Sequence, residues 1–251
     1  MEQSYYQAYF RLERENWWFK VRAKIILSRI RLLLRTAPNP KILNVGVATG
    51  HLSELMAPFG TVQSVEYDDE CFRFLKKNVP IDVVQGSILD LPFADDYYDL
   101  VCAFDVVEHV EDDQLAVQEL QRVAKPGGRV MVTVPAFMFL WSEHDAINHH
   151  VRRYTLRKLR ALFASSGKIS YATYFNAFLF LPITLFRVLS RFLPSRSHPQ
   201  SDFALANGKV TNRLLYTVFN AEHWLIKRGI TFPIGVSLAL VWRKPPKPSY
   251  E

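Results

Sequence analysis

The chain has 251 residues, 49% of them hydrophobic, which is enough for one sizeable core, and no shift in composition marks a second domain. A formal net charge of +7 brings two anionic partners into consideration, nucleic acid and a lipid surface. Only Cys71 and Cys102 are present, which excludes a disulfide framework and a C-x-x-C metal knuckle. The opening Met-Glu-Gln-Ser-Tyr-Tyr lacks the basic-then-apolar order of a secretory leader, so a cytoplasmic protein is expected.

The N-terminal segment carries Tyr5, Tyr6, Tyr9, Phe10, Trp17 and Trp18 ahead of an amphipathic helix from Val21 to Leu34. These rings either close over a substrate or staple the helix to a sheet. Residues 41 to 50, Lys-Ile-Leu-Asn-Val-Gly-Val-Ala-Thr-Gly, read as a short apolar strand running into a glycine turn, where Gly46 and Gly50 let a ligand approach the main chain. Glu66 ends the next apolar strand about 20 residues after the first glycine, the place from which a carboxylate accepts hydrogen bonds from ribose hydroxyls. An adenosine-containing ligand is expected. The loop fails the dinucleotide fingerprint, because Ala48 and His51 stand where the second and third glycines belong.

Further strands are predicted at 81 to 85, 99 to 105 and 129 to 134, with helices near 50 to 58, 69 to 78 and 112 to 124. This alternation predicts an α/β fold, a parallel sheet with helices on both faces. Thr155 caps an amphipathic helix that Gly167 stops, and 168 to 175 and 236 to 242 read as two more strands. Asn44, Glu66, Ser87 and Asp105 fall at carboxyl ends of strands, where open sheets bind ligands. The tail from Lys244 reads as extended and disordered.

Four segments together resemble the class I S-adenosylmethionine-dependent methyltransferases. They are the strand and turn of 41 to 50, Gln85-Gly-Ser-Ile-Leu-Asp-Leu-Pro-Phe93, Asp99-Leu-Val-Cys-Ala-Phe-Asp-Val-Val-Glu-His-Val110, and Arg122-Val-Ala-Lys-Pro-Gly-Gly128. The resemblance implies a Rossmann-like, seven-stranded, mostly parallel sheet with an antiparallel last strand. Extra N-terminal helices (1 to 36) and a C-terminal helical insertion (176 to 230) would decorate a single methyltransferase domain. It implies S-adenosyl-L-methionine as cofactor, with Gly46, Ala48 and Gly50 beneath its methionine part, Glu66 on the ribose and Tyr67 against the adenine. Ser87 and Ile88 would flank the adenine edge, and Phe104 and Asp105 would lead toward the methyl group. For Tyr67 and Phe104 simple core packing is an equal alternative. The chain departs from the family pattern at Asn44, where an acid is usual, and at Ser87, where Asp is frequent. Both changes remove negative charge near a cationic cofactor, which keeps a noncatalytic, methyltransferase-fold binding protein as the second hypothesis.

The stretch Val134 to Thr155 resembles a bacterial subgroup of these enzymes associated with polysaccharide or lipid-linked metabolism. His144 and His150 are the candidate bases, with Asp145 as orienting acid or alternate base. Trp18, His149, Arg153 and Tyr154 are candidate substrate contacts. His144, Asp145 and His149 could hold a metal, but no acid cluster accompanies them, so no metal site is expected.

Ile169 to Phe186 contains no charge and is crowded with Phe and Leu, followed by Arg187 and Arg191. Pro182 and the short apolar remainder argue against a spanning helix and for an interfacial one over 176 to 192 at the inner membrane surface; an internal lid or dimer surface is the competing use. No Asn-Pro-Pro-Tyr, Asp-Pro-Pro-Tyr or Pro-Cys motif of base methyltransferases is present, so nucleic acid ranks third as a target. The expected activity is methyl transfer to an oxygen or carbon of a small amphiphilic, lipid-linked acceptor.

Overall fold

The computed structural model describes residues 3–164, 167–190 and 208–247. Helices α1 (Gln3–Glu15) and α2 (Trp17–Leu34) lead in, and Asn16 separates them by accepting the N–H of Trp18 at 2.9 Å. Because that cap precedes the tryptophans, α2 starts at Trp17 rather than Val21, and the aromatic run is helical on both sides of it. The side chain of Tyr5 lies outside the described residues.

Strand and helix then alternate: β1 (Lys41–Val45), α3 (His51–Met56), β2 (Thr61–Glu66), α4 (Asp69–Asn78), β3 (Asp82–Gln85), β4 (Tyr98–Phe104), α5 (Asp113–Val123) and β5 (Ala124–Pro135). A short helix α6 (Glu143–Ile147), α7 (Leu156–Leu162), β6 (Lys168–Phe175), α8 (Phe180–Ser190), α9 (Lys209–Lys227) and β7 (Ser237–Arg243) complete the described elements. Side chains of Asp68, Asp112 and Thr155 cap α4, α5 and α7.

The seven strands form one sheet in the order β3-β2-β1-β4-β5-β7-β6, parallel except for β7, which runs antiparallel to both of its neighbours. This is the Rossmann-like arrangement expected. Each strand divides its residues between two apolar layers with period two. Val101 and Ala103 of β4 and Leu240 and Trp242 of β7 pack with Val117 and Leu120 of α5 and Leu159 of α7. The intervening Leu100, Cys102 and Val241 pack with Ile26 and Ile30 of α2. Burial on both faces explains why these strands read as nearly continuous apolar runs. β5 starts earlier than predicted, since Ala124 pairs with Tyr98 before the register slips and Arg129 meets Leu100.

Three regions differ from expectation. The loop after β5 contains α6, which Ser142 and Asp145 close with a reciprocal capping box. Arg187 is no exposed basic flank for α8: it is buried and its guanidinium bonds the carbonyl of Leu140, while Arg191 lies outside the described residues. Lys244 is anchored, its Nζ bonding the carbonyls of Gln121 and Ala124 and the carboxylate of Asp96, each at 2.8 Å. The expected insertion over 176 to 230 falls on α8 and α9, and residues 191–207 between them lie outside the described residues.

α9 packs on α2 through Phe219 and Trp17, and Glu222 of α9 ties down the start of the α8 segment, accepting the N–H groups of Ala177 at 2.7 Å and Phe178 at 3.1 Å. Burial pushes the Glu222 carboxyl up to about 7, against the lowering effect of those N–H groups. Its folded value exceeds the unfolded one, so the stability linked to its proton is present below the ordinary carboxylate range and is lost as pH rises through about 7. Glu222→Gln keeps an acceptor for both N–H groups. It is expected to raise Tm at about pH 8 while changing it little at about pH 4, measured by calorimetry; an equal shift at both pH values would exclude ionisation as the cause.

Candidate functional site

A cavity of about 1130 Å³ opens over the carboxyl ends of β1, β2 and β4 and extends to α8 and α9. Ligand pockets commonly measure roughly 300–1,000 Å³, so this one has room for two molecules side by side.

Its floor is the turn from β1 to α3. Gly46 adopts φ +68°, and a Cβ there would come within 2.5 Å of Val106 Cγ2, so only glycine lets the chain pass this close to the turn after β4. Glu66 at the end of β2 holds the turn, accepting Ala48 N–H at 3.1 Å through one oxygen, and Tyr67 and Asp68 N–H at 3.0 and 3.1 Å through the other. Burial raises its pKa although all three N–H groups lower it. Three bonds leave a carboxylate with acceptor capacity for a hydroxyl donor. Tyr67 is 75% exposed beside it, which overturns core packing for that ring. Phe104 does both things: it is buried against Ile26 and Cys102 and it borders the cavity. Ser87, which accepts Leu89 N–H at 3.1 Å, and Ile88 border the same end.

Asn44 is a partial correction. It borders the cavity, but its side chain is drawn under α3, where Nδ2 donates to Ser53 Oγ at 2.9 Å. Besides Glu66 and Asp105, two further charges near the turn come from the N-terminal helices. Glu13 of α1 is buried and accepts a hydrogen bond from Thr49, and burial pushes its carboxyl up to about 7. Arg22 of α2 is buried, pairs with Asp105 at 2.7 Å, and lies 5.2 Å from the Trp18 ring. Asp105 also accepts from Thr133 Oγ1 at 3.0 Å and sits at φ +57°, a conformation unusual for a residue with a side chain. A signal existed for both missed residues: Glu13 interrupts the apolar stripe of Tyr6 and Phe10, and Arg22 that of Trp18, Ile26 and Ile30.

At the far end the residues of 142 to 154 separate. Asp145 has no exposed surface and does not reach the cavity. It takes Arg153 Nε at 2.8 Å and Nη2 at 2.9 Å, Ser142 N–H at 2.8 Å, and His150 Nδ1 at 2.8 Å. Burial would raise its pKa, but the bonds from His150 and Arg153 hold it well below the usual carboxylate range. That geometry orients His150 and removes the alternate-base role. With Nδ1 bonded to a carboxylate, the Nε2 lone pair of His150 is the one available to the cavity. His144 borders the cavity with its ring against Asn148, and His149 borders it at φ +56° on an exposed turn. Tyr154 is corrected: it is 2% exposed in the core under α7 and its hydroxyl donates to Asp113 at 2.8 Å, behind the wall rather than at the mouth.

A further group comes from the turn after β4. Glu108 and His109 border the cavity, and the ring centroid of His109 stands 4.7 Å from that of His150. Glu108 is fully buried, and desolvation together with the charge of Asp105 pushes its carboxyl well above the usual range. Desolvation and the nearby His150 bring His109 down to about 4.

Residues 43–132 match a family model described as a methyltransferase domain. The chain is similar to a probable S-adenosylmethionine-dependent methyltransferase of Mycolicibacterium smegmatis, 28% identical over 62% of this chain and 61% of that one. It is also similar to the demethylmenaquinone methyltransferase of Chlorobaculum parvum, 32% identical over 48% of this chain and 50% of the relative. The chain thus spans about three fifths and one half of these relatives' lengths. Among solved structures, a putative methyltransferase from Bacillus halodurans aligns with a TM-score of 0.57 at 18% identity, over 87% of this chain and 98% of that one, which establishes the shared fold.

Removing one member of the buried Arg153–Asp145 pair leaves the other charge desolvated. Arg153→Ala is expected to lose about 3–5 kcal/mol in urea unfolding, and a loss below about 1 kcal/mol would show that the pair does not hold this segment.

Proposed function

Since the chain belongs to the class I S-adenosylmethionine-dependent methyltransferases, with S-adenosylmethionine as cofactor, we propose that it transfers a methyl group to an oxygen or carbon of a small, amphiphilic, lipid-linked acceptor. The observation that carries this reading is the continuity of one cavity from the Gly46 turn and Glu66, through the polar groups of His150 and Glu108, to the apolar side chains of Ile183 and Phe186 on α8. The likeness to a demethylmenaquinone methyltransferase supports a small-molecule acceptor.

The bound cofactor supplies an electrophilic methyl group on a sulfonium. The protein's part is to hold, align and exclude water. Gly46 and Ala48 pass beneath the methionine part, Glu66 accepts from the ribose, Tyr67 lies on the adenine, and Ser87 and Ile88 flank its edge, whereas Gly50, also expected beneath the cofactor, does not border the cavity and faces Leu75, Val79 and Ile81 behind the turn. Arg22 faces the amino-acid carboxylate, and Glu13 and Asp105 face the ammonium and sulfonium. Glu13 places a carboxyl on the side where Asn44 and Ser87 lack one, while the charge of Asp105 is balanced by Arg22. Trp18, His149 and Arg153 border the acceptor's side, and His150, oriented by Asp145, presents its Nε2 lone pair to the acceptor's proton.

Leu181, Leu185 and Leu189 of α8 are 74%, 56% and 54% exposed and share one helix face, which supports contact with a lipid surface that delivers the acceptor. No described helix is long and apolar enough to cross a membrane.

Calorimetric titration with S-adenosylmethionine and S-adenosylhomocysteine is expected to give one saturable site, lost in Glu66→Ala. In Arg22→Ala it should weaken about 10- to 100-fold, as removal of a hydrogen bond to a charged group does. Binding of neither molecule by the wild-type chain would sink the reading. For the lipid contact, flotation with anionic vesicles is expected to carry the wild-type chain and to fail for the double variant Leu181→Ser/Leu185→Ser; no flotation of the wild type removes the membrane claim.

A further inference from the structure

We propose that Glu108, His109 and His150 bind a divalent transition-metal cation at the acceptor end of the cavity, and that this cation holds a hydroxyl group of the acceptor for methylation. The second half rests on the methyltransferase reading; the cation site does not. One oxygen of Glu108 and one ring nitrogen from each histidine lie within 4.8 Å of one another, so small side-chain movements would bring all three to the roughly 2.0–2.2 Å that such ligands keep from one ion.

Two independent observations point to a ligand there. Glu108 is fully buried, and neither of its carboxylate oxygens has a hydrogen-bond partner among the described residues. A buried carboxyl in that condition is costly, and it is rare without an ion or a ligand that completes it. The guanidiniums of Arg22 and Arg153 act on it through space without hydrogen-bonding its oxygens, Arg22 pairing with Asp105 and Arg153 with Asp145. The second observation is the orientation of His150. Its Nδ1 is bonded to the buried Asp145 at 2.8 Å, which fixes the ring and frees Nε2, the carboxylate–histidine arrangement that stands behind metal-binding imidazoles. The two chain segments are held in register by the bond from Val151 N–H to the Glu108 carbonyl at 2.8 Å.

Two imidazoles and one carboxylate favour Zn²⁺, Mn²⁺, Fe²⁺ or Co²⁺ over Mg²⁺ and Ca²⁺, which take mostly oxygen. Three protein ligands leave coordination positions open toward the cavity, where an acceptor hydroxyl binds and becomes more acidic. With the cation in place His150 is a ligand, and the hydroxyl proton passes to water. The oxygen lone pair then forms the new O–C bond as the S–C bond of the cofactor breaks with its electron pair to sulfur. This narrows the acceptor to one that presents a hydroxyl.

The test uses the full chain, stripped with a chelator and titrated with Zn²⁺, Mn²⁺ and Co²⁺, following heat and the Co²⁺ absorption spectrum. One site per chain is expected. Glu108→Gln, His109→Asn and His150→Asn should each weaken it by at least about 100-fold, the upper end of what disturbing an outer-shell partner costs. Binding of S-adenosylmethionine by the same variants reports that they are folded, and three variants guard against one that is not. No saturable binding of any of the three cations to the wild type, or binding that all folded variants retain, overturns the site. A chain that binds the cation but not S-adenosylmethionine supports the cation site and overturns the methyltransferase reading, so the two failures are separable.

Discussion

Asp145 has no exposed surface and receives bonds from an arginine, a histidine and a backbone N–H. A carboxylate in that setting is tolerable only while its partners are in place, so the segment after β5 has one low-energy arrangement. Arg153 also bonds the Ala136 carbonyl at 3.1 Å, which ties the start of the segment to its end. Through this one ion pair the loop becomes a rigid wall, and His150 reaches the cavity with a fixed ring orientation. The turn after β4 is attached to the same wall through Val151 and Glu108. Both walls at this end of the cavity are therefore tied to a single buried pair.

The opposite end is built from helices that are not part of the alternating fold. α1 and α2 bring Glu13 and Arg22 over the carboxyl ends of β1 and β4, where the turn itself carries few charges. An N-terminal cap of this kind separates two tasks that a strand-end acid would otherwise combine. Asn44 becomes part of a buried hydroxyl relay with Ser53 and Ser64, while Glu13 and Arg22 add charges from outside the sheet to those of Glu66 and Asp105 at the strand ends.

α8 and α9 give the cavity its apolar side. α8 turns Ile183 toward the cavity and Leu181, Leu185 and Leu189 outward, with Phe186 bordering the cavity while still 53% exposed, so it is apolar on both faces, and its one described arginine is used internally on Leu140. A helix of that composition is suited to a boundary between an interior and an apolar exterior. The charge expected from Arg187 is absent from the surface, so the exposed side of α8 is apolar rather than basic.

The sequence by itself determined the sheet and the glycine turn that opens toward Glu66. Strands buried on both faces leave continuous apolar runs, caps such as Asp68 and Thr155 mark helix starts, and Gly46 and Glu66 lie close along the chain, where spacing is informative. It could not separate a wall from a mouth: His150 and Tyr154 look alike four residues apart, yet one reaches the cavity and the other is buried under α7. Nor could it reveal partners distant in sequence. Arg22 with Asp105, Glu13 with Thr49, and the adjacent Glu108 and His109 with His150 meet only because the helical cap and the post-β5 segment fold over the strand ends. Local pattern fixes which face of an element is apolar, whereas the destination of a lone charge on that face depends on which element packs against it, and that is decided only in three dimensions.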